Sequence, residues 1–173
     1  MNVLFRRKRE GKTNYKKRLN LIASGKIRMV VRKTNKNVIV QLVKFNNKGD
    51  ETIVSAHTNE LKKYGWKGAK RNLPASYLAG LLCGVKAKKT DIKEAIFDIG
   101  MVPPIKGNLV FAALKGALDT GLKIPHSEEA LPPEDRLVGK HIESNTSTKF
   151  TKFNPKEITK NFEEVKNKIM KGA

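Results

Sequence analysis

The chain is short, strongly basic and almost free of cysteine: it has 173 residues, a formal net charge of +20 and one cysteine. Its length suits one domain with extensions. So large a charge calls for a polyanionic partner, because self-repulsion otherwise weakens the compact state. Nucleic acid is the first candidate partner and an anionic membrane the second. A single cysteine excludes an internal disulfide and a cysteine-rich zinc site, and the apolar setting of Cys83 predicts burial.

The positive charge is unevenly placed along the chain. Residues 1–18 hold eight basic and one acidic side chain, and residues 19–125 hold nineteen and seven. Residues 126–173 hold nine and eight, so this part is nearly neutral. The polyanion is therefore expected to meet the first two segments.

The first segment, "FRRKREGKTNYKKRL" (Phe5–Leu19), combines basic residues with two aromatic residues. In RNA-binding segments, basic side chains bind phosphates and aromatic side chains stack on nucleobases or sugars. The pattern predicts a flexible lead over Phe5–Glu10 and a short helix over about Asn14–Ser24. Leu19 and Ile22 are expected to anchor that helix to the domain.

The next residues predict an antiparallel three-stranded meander. The runs Lys26–Thr34, Asn37–Phe45 and Glu51–Thr58 are rich in β-branched residues, and short turn-forming segments separate them. Gly49 in the second turn is free to adopt positive φ.

The pattern then alternates between helices and strands. Leu73–Lys89 has helical apolar spacing, Glu94–Met101 resembles a short buried strand, Asn108–Gly121 is a second helix, and "LKIPH" (Leu122–His126) is a last strand. The order βββαβαβ predicts an α/β fold with a mixed sheet, since a strand–helix–strand unit normally makes parallel neighbours.

After residue 126 the composition shifts. A short helix is predicted near Pro132, a polar linker over 143–153, and a capped helix over Asn154–Gly172. The apolar stripe of the last helix is expected to pack on its own domain, and it consists of Ile158, Phe162, Val165 and Ile169.

Membrane binding is the less favoured alternative. The sequence has no apolar run of eighteen residues, and its first residues lack the apolar core of a signal peptide. The polar face of the last helix mixes Glu163 and Glu164 with lysines, whereas a membrane-surface helix has a basic face.

Signals for catalysis are weak. The sequence has no P-loop, GxGxxG or HExxH motif, and its three histidines lie far apart. Asp98 on an apolar strand hints at the metal site of a ribonuclease-H-like nuclease, but two-metal chemistry needs several convergent carboxylates. The favoured interpretation is that Asp98 accepts hydrogen bonds at the end of its strand.

Signals for nucleic-acid binding recur in several loops. Arg28 and the tip "RKTNK" place charge and amides along one hairpin, and the loop "KKYGWKGAKRN" (Lys62–Asn72) combines five bases with Tyr64 and Trp66. Lys106 and Gly107 precede a helix N-terminus, which suits an anion. The lysines of any one of these segments are explained by simple exposure to solvent. That explanation does not account for all of the basic segments together with a basic arm.

Several long motifs resemble a known family. They are "RRKREGKTNYKKRLNLIASGK", "RMVVRKTNKNVIVQLV", "SAHTNELKKYGWKGAKRNLPASYLAGLLCG", "FDIG", "KGNLVFAALKGALDTGLKIPH" and "RLVGKHI". Over nearly the whole chain the sequence resembles the archaeal-type members of the 5S rRNA-binding family of large-subunit ribosomal proteins, numbered eighteen in bacteria and five in eukaryotes.

The resemblance implies a three-layer α/β domain of ribonuclease-H-like topology (βββαβαβ), without catalysis, cofactor or metal. The expected division is a basic N-terminal arm over 1–25, an RNA-binding domain over 26–126 and a C-terminal helical extension over 127–173. It further implies a cytoplasmic structural protein that binds 5S rRNA and attaches it to 23S rRNA in the central protuberance, beside the other 5S-binding protein. The alternative is a metal-dependent nuclease.

The candidate RNA-binding residues come from the resemblance and from the sequence pattern. Those carried over from the family lie in the arm, the first hairpin and the loop around residue 66: Arg6, Arg7, Arg9, Lys12, Thr13, Tyr15, Arg18, Arg32, Lys33, Thr34, Asn35, Lys36, Trp66, Lys67, Lys70 and Arg71. The pattern adds Lys16, Arg28, Lys106 and Gly107.

Overall fold

The computed structural model describes residues 3–144 and 154–172, so most of the predicted polar linker lies outside the described residues. The elements in chain order are α1 (Arg6–Arg9), α2 (Tyr15–Ala23), β1 (Arg28–Lys33), β2 (Val38–Lys44), β3 (Glu51–His57), α3 (Leu73–Lys89), β4 (Ile96–Asp98), α4 (Leu109–Leu118), α5 (Glu134–Val138), α6 (Lys140–Glu143) and α7 (Ile158–Lys171). No helix of this described part is long and apolar enough to cross a membrane.

The sheet is mixed and open, with the strand order β3-β2-β1-β4. The first three strands pair antiparallel and β4 pairs parallel to β1, which confirms the predicted meander and the parallel neighbour. The predicted fifth strand is wrong, because between Glu94 and Lys123 only an isolated parallel bridge forms. Pro125 lacks the N–H group that an extended ladder needs there.

The two faces of the sheet differ in chemistry because successive side chains of a strand point to opposite sides. Met29 and Val31 are fully buried and pair with Leu42 and Val40 on the helix-covered face. The opposite face, called here the open face, carries the alternate side chains of β1 and β2. Those of its middle are Arg28, Val30, Arg32, Ile39, Gln41 and Val43.

Helix α3 lies at the centre of the molecule and is buried almost all round, between the sheet, α4, α5 and α7. A helix that is apolar on every side suits such a position. It crosses α4 at small residues: a Cβ atom at Gly80 would overlap the Ala113 carbonyl, and one at Gly116 would overlap that of Tyr77. Cys83 is buried here as predicted, and desolvation raises the pKa of its thiol to about 12.

Helix α7 packs on the same core, as its apolar stripe predicts. Ile158, Phe162, Val165 and Ile169 are all buried, and the Phe162 ring centre lies 5.4 Å from that of Tyr77 on α3. The C-terminal helix therefore contributes to the hydrophobic core of the α/β domain.

Candidate nucleic-acid interface

The N-terminal arm is helical on both sides of its turn. The predicted flexible lead forms α1 over Arg6–Arg9, and Asn14 caps α2 by accepting a hydrogen bond from the Lys17 backbone N–H at 3.1 Å. The Arg7 guanidinium donates to the Thr13 hydroxyl at 2.9 Å across the turn. These short-range contacts give the basic arm a definite shape.

An ion pair joins the arm to the turn between β2 and β3. The prediction that Leu19 anchors the arm is wrong, because this residue is 66% exposed, whereas Ile22, the other predicted anchor, is half-buried together with Leu21. The Arg18 guanidinium donates to the Asp50 carboxylate at 2.9 Å. An ion pair suits this junction because α2 lies against a polar part of the open face.

That ion pair is the first link of a charged network on the open face. The Asp50 carboxylate lies 2.8 Å from Nη2 of Arg28, without hydrogen-bond geometry. Asp98 in turn lies 3.5 Å from Arg28 and 3.1 Å from Arg32. Arg28 is only 3% exposed and its charge faces these two carboxylates, while its predicted contact with RNA stays a prediction. Arg28 holds the two carboxylates together beneath the arm.

Asp98 has a structural role, as the favoured interpretation predicts. One carboxylate oxygen accepts hydrogen bonds from Arg32 at 3.1 Å and from the Gly100 backbone N–H at 2.8 Å. Among residues 3–144 and 154–172, no three histidine, cysteine, aspartate or glutamate side chains are grouped to hold a metal ion. Two arginines form ion pairs with Asp98, so this carboxylate belongs to a charged network.

Replacing Asp98 by asparagine is expected to destabilise the fold by about 3 kcal/mol, because it leaves the buried Arg28 with half of its counter-charge. Urea-induced unfolding measures the change. The matched control is Asp135→Asn, which removes an exposed pair with Lys140 and should cost at most about 1 kcal/mol. Equal effects of the two variants would contradict the role assigned to the network.

The tip of the first hairpin is exposed and closely held. Thr34 and Asn37 close the turn through backbone and hydroxyl hydrogen bonds of 2.8 to 3.1 Å. Lys33, Asn35 and Lys36 are exposed beside it, and the Arg71 guanidinium donates to the Asn35 carbonyl at 3.4 Å. The tip and the loop around residue 66, separate in sequence, are therefore neighbours.

That loop presents its cations but not its tryptophan. The stacking prediction for Trp66 is wrong, since only 4% of this residue is exposed and its indole N–H donates to the Ala69 carbonyl at 3.1 Å. Lys67 and Arg71 are exposed. Desolvation and the neighbouring Lys62 lower the pKa of Lys70, so crowding of like charge favours an anion at this loop.

A Trp66→Phe substitution is expected to lower the free energy of unfolding by about 1–2 kcal/mol, because it removes a buried hydrogen bond and some core volume. The RNA affinity of the folded variant should stay within about twofold of the original. Tyr15→Leu is the contrasting variant: its ring is in the exposed arm, so RNA affinity should fall while stability stays the same. A loss of RNA affinity by folded Trp66→Phe would restore the stacking role.

The predicted anion site before α4 is largely occupied by the protein itself. Lys106 pairs with Glu129 at 2.6 Å, and the Gly107 backbone N–H donates to the Ala130 carbonyl at 3.0 Å. Asn108 caps the helix by accepting from the Leu109 N–H at 2.7 Å. The Gly107 N–H is thus engaged within the protein, whereas Lys106 is exposed at the surface beside Glu129, and its contact with RNA stays a prediction.

The remaining candidates form one continuous region, called here the basic strip. It runs from the arm, over the open face at Arg32, to the hairpin tip and the loop that carries Lys67, Lys70 and Arg71. The contacts that join its parts are Arg18–Asp50, Asp50–Arg28, Arg28–Asp98, Asp98–Arg32 and Arg71–Asn35. Sequence reasoning missed Asp50, because nothing in a turn such as "NNKGD" signals pairing with an arginine far along the chain.

Comparisons with known proteins identify the family of the chain. Residues 1–94 and 85–127 match the model of a family described as "Ribosomal large subunit proteins 60S L5, and 50S L18". The chain is also 46% identical, over 180 aligned positions, to the large ribosomal subunit protein uL18 of Methanothermobacter thermautotrophicus. The alignment covers 96% of this chain and 94% of that protein. A basic strip on an α/β domain, together with these matches, shows that the chain belongs to the L5/L18 family of large-subunit ribosomal proteins.

Proposed function

We propose that the protein, a structural component of the large ribosomal subunit, binds 5S rRNA through the basic strip and attaches it to 23S rRNA in the central protuberance, beside the other 5S-binding protein. The strip itself is the observation that carries the proposal. It joins the basic side chains of an arm, a sheet face, a hairpin and a loop into one surface. Such a surface can contact successive phosphates of an RNA backbone.

The proposal extends to the organisation of the chain. The arm over 1–25 and the domain over 26–126 supply the RNA-binding surface, and the nearly neutral extension over 127–173 completes the core. The topology is proposed to be that of ribonuclease H without its catalysis. Support comes from the parallel pairing of β1 with β4 after an antiparallel meander and from the arginines that pair with Asp98.

A filter-binding titration of the full chain against 5S rRNA and a generic RNA hairpin tests the function. We expect tighter binding of 5S rRNA at physiological salt. With about six to ten phosphates contacted, affinity should fall roughly 10³–10⁵-fold between 50 and 200 mM salt. Equal affinities for the two RNAs at physiological salt would contradict specific 5S recognition.

A further inference from the structure

The arm and the open face enclose a cleft whose rim carries several cations of the basic strip. It has a volume of about 600 Å³ and lies between α1, α2 and the turn that joins them on one side and β1, β2 and the end of β4 on the other. The Arg18–Asp50 ion pair and the cap at Asn14 hold α2 over it. The cleft is therefore a built feature of the fold, and a volume of this size is typical of small-ligand sites.

The lining of the cleft is amphipathic. Six cationic side chains face two acidic ones, so the site attracts anions: Arg7, Lys12, Lys17, Arg18, Arg28 and Arg32 against Asp50 and Asp98. Leu21 from α2 and Val30 and Val43 from the sheet add apolar surface, and Gln41 adds an amide that both donates and accepts hydrogen bonds. An inorganic phosphate would leave the apolar surface and the acceptor oxygen of the amide without a partner.

One buried group in the wall is also incompletely satisfied. Arg28 lines the cleft and is 3% exposed, yet its Nε atom has no hydrogen-bond partner within the described part of the chain. Buried polar groups are normally hydrogen-bonded. This wall of the cleft therefore still favours an acceptor close by.

The shape of the cleft selects the form of RNA. A double helix presents its bases within grooves and cannot place one of them between α2 and the sheet. A nucleotide turned out of its helix exposes its base for stacking and hydrogen bonding. Such a nucleotide matches the cleft in chemistry, with its phosphate toward the cationic rim and its base against Val30 and Gln41.

We propose that this cleft binds a single extruded nucleotide of the bound RNA. The proposal rests on the proposed function, since it assigns a base-reading site to the same RNA-binding surface. Lys17 and Arg18 would bind the phosphate. Val30 and Leu21 would contact the faces of the base, and Gln41 would read its edge.

The first test uses the four nucleoside 5′-monophosphates and inorganic phosphate as probes of the ¹⁵N-labelled full chain. We expect saturable NMR shifts of the Val30, Gln41 and Gly100 amide signals with at least one nucleotide. Inorganic phosphate should leave these three signals in place. If no nucleotide shifts them, or if phosphate alone shifts them equally, the proposal is overturned.

The second test fills the cleft from its floor. Val30→Phe should reduce the affinity for 5S rRNA about tenfold, because it blocks contacts of a single base. The matched control is Ile39→Phe, on the same face of the neighbouring strand but outside the cleft. It should leave the affinity within about twofold, and thermal unfolding verifies that both variants fold.

The outcomes separate the two proposals. Equal affinities of folded Val30→Phe and Ile39→Phe for 5S rRNA would overturn the nucleotide site while RNA binding stands. If the unsubstituted protein binds 5S rRNA no better than a generic hairpin, the proposed function is overturned. In that case, or if Val30→Phe does not fold, the nucleotide titration of the unsubstituted protein alone tests whether the cleft binds a nucleotide.

Discussion

Removal of residues 1–13 is expected to lower the RNA affinity by up to about 10³-fold at physiological salt. The segment carries five cations: Arg6, Arg7, Lys8, Arg9 and Lys12. Each phosphate contact contributes about 0.7–0.9 to the slope of log affinity against log salt, so the slope should fall by about four. Filter binding at several salt concentrations measures both quantities.

The thermal transition should stay nearly unchanged in this truncated chain. Helix α1 has no buried residue, and the cut keeps the Asn14 cap and the Arg18–Asp50 pair. The matched control removes the same number of basic side chains from exposed positions outside the basic strip, by changing to glutamine Lys88, Lys123, Lys156, Lys160 and Lys171. If truncation and control lower the affinity equally, general charge attraction and not the arm accounts for binding.

Replacement of Gly80 by alanine is expected to destabilise the fold by about 3 kcal/mol. Two effects oppose each other here. Alanine favours a helix interior by about 1 kcal/mol over glycine, but a Cβ atom at this position would overlap the Ala113 carbonyl of α4. Because that neighbour is backbone and cannot rotate away, α3 and α4 must separate, and overpacking of this kind outweighs the gain in helix propensity.

Urea-induced unfolding measures this effect, and the control is Gly172→Ala. At Gly172 the nearest atoms to an added Cβ lie at 3.5 and 3.7 Å, which is ordinary contact. That variant should therefore change the stability by no more than about 0.5 kcal/mol. An unchanged or higher stability of Gly80→Ala would show that α3 and α4 do not cross as closely as described.

Most of the secondary structure follows from local patterns. The β-branched runs became β1 to β3, and the apolar spacing of Leu73–Lys89 became α3 with the same bounds. The stripe of α7 is buried as its period predicts. The segment Leu122–His126 failed as a strand because a ladder depends on a partner, and an apolar run alone does not supply one.

The site was harder to predict than the fold. Sequence reasoning selected Trp66 and Arg28 because their residue types suit RNA, but both are buried. A local sequence pattern indicates the chemistry of a side chain, but it does not indicate whether the side chain points toward solvent or into the core. The direction is set by contacts with residues far along the chain, such as Asp50 and Asp98 for Arg28.

The sequence by itself determined the class of fold, the family and the polyanionic partner, because charge, periodicity and motif are properties of the chain alone. The tertiary structure decided which basic side chains are exposed and which are neutralised by ion pairs. It also brought the arm over the open face of the sheet and formed the cleft between them. Such features arise only when distant segments meet, because burial and ion pairing depend on distances in space that a linear sequence does not contain.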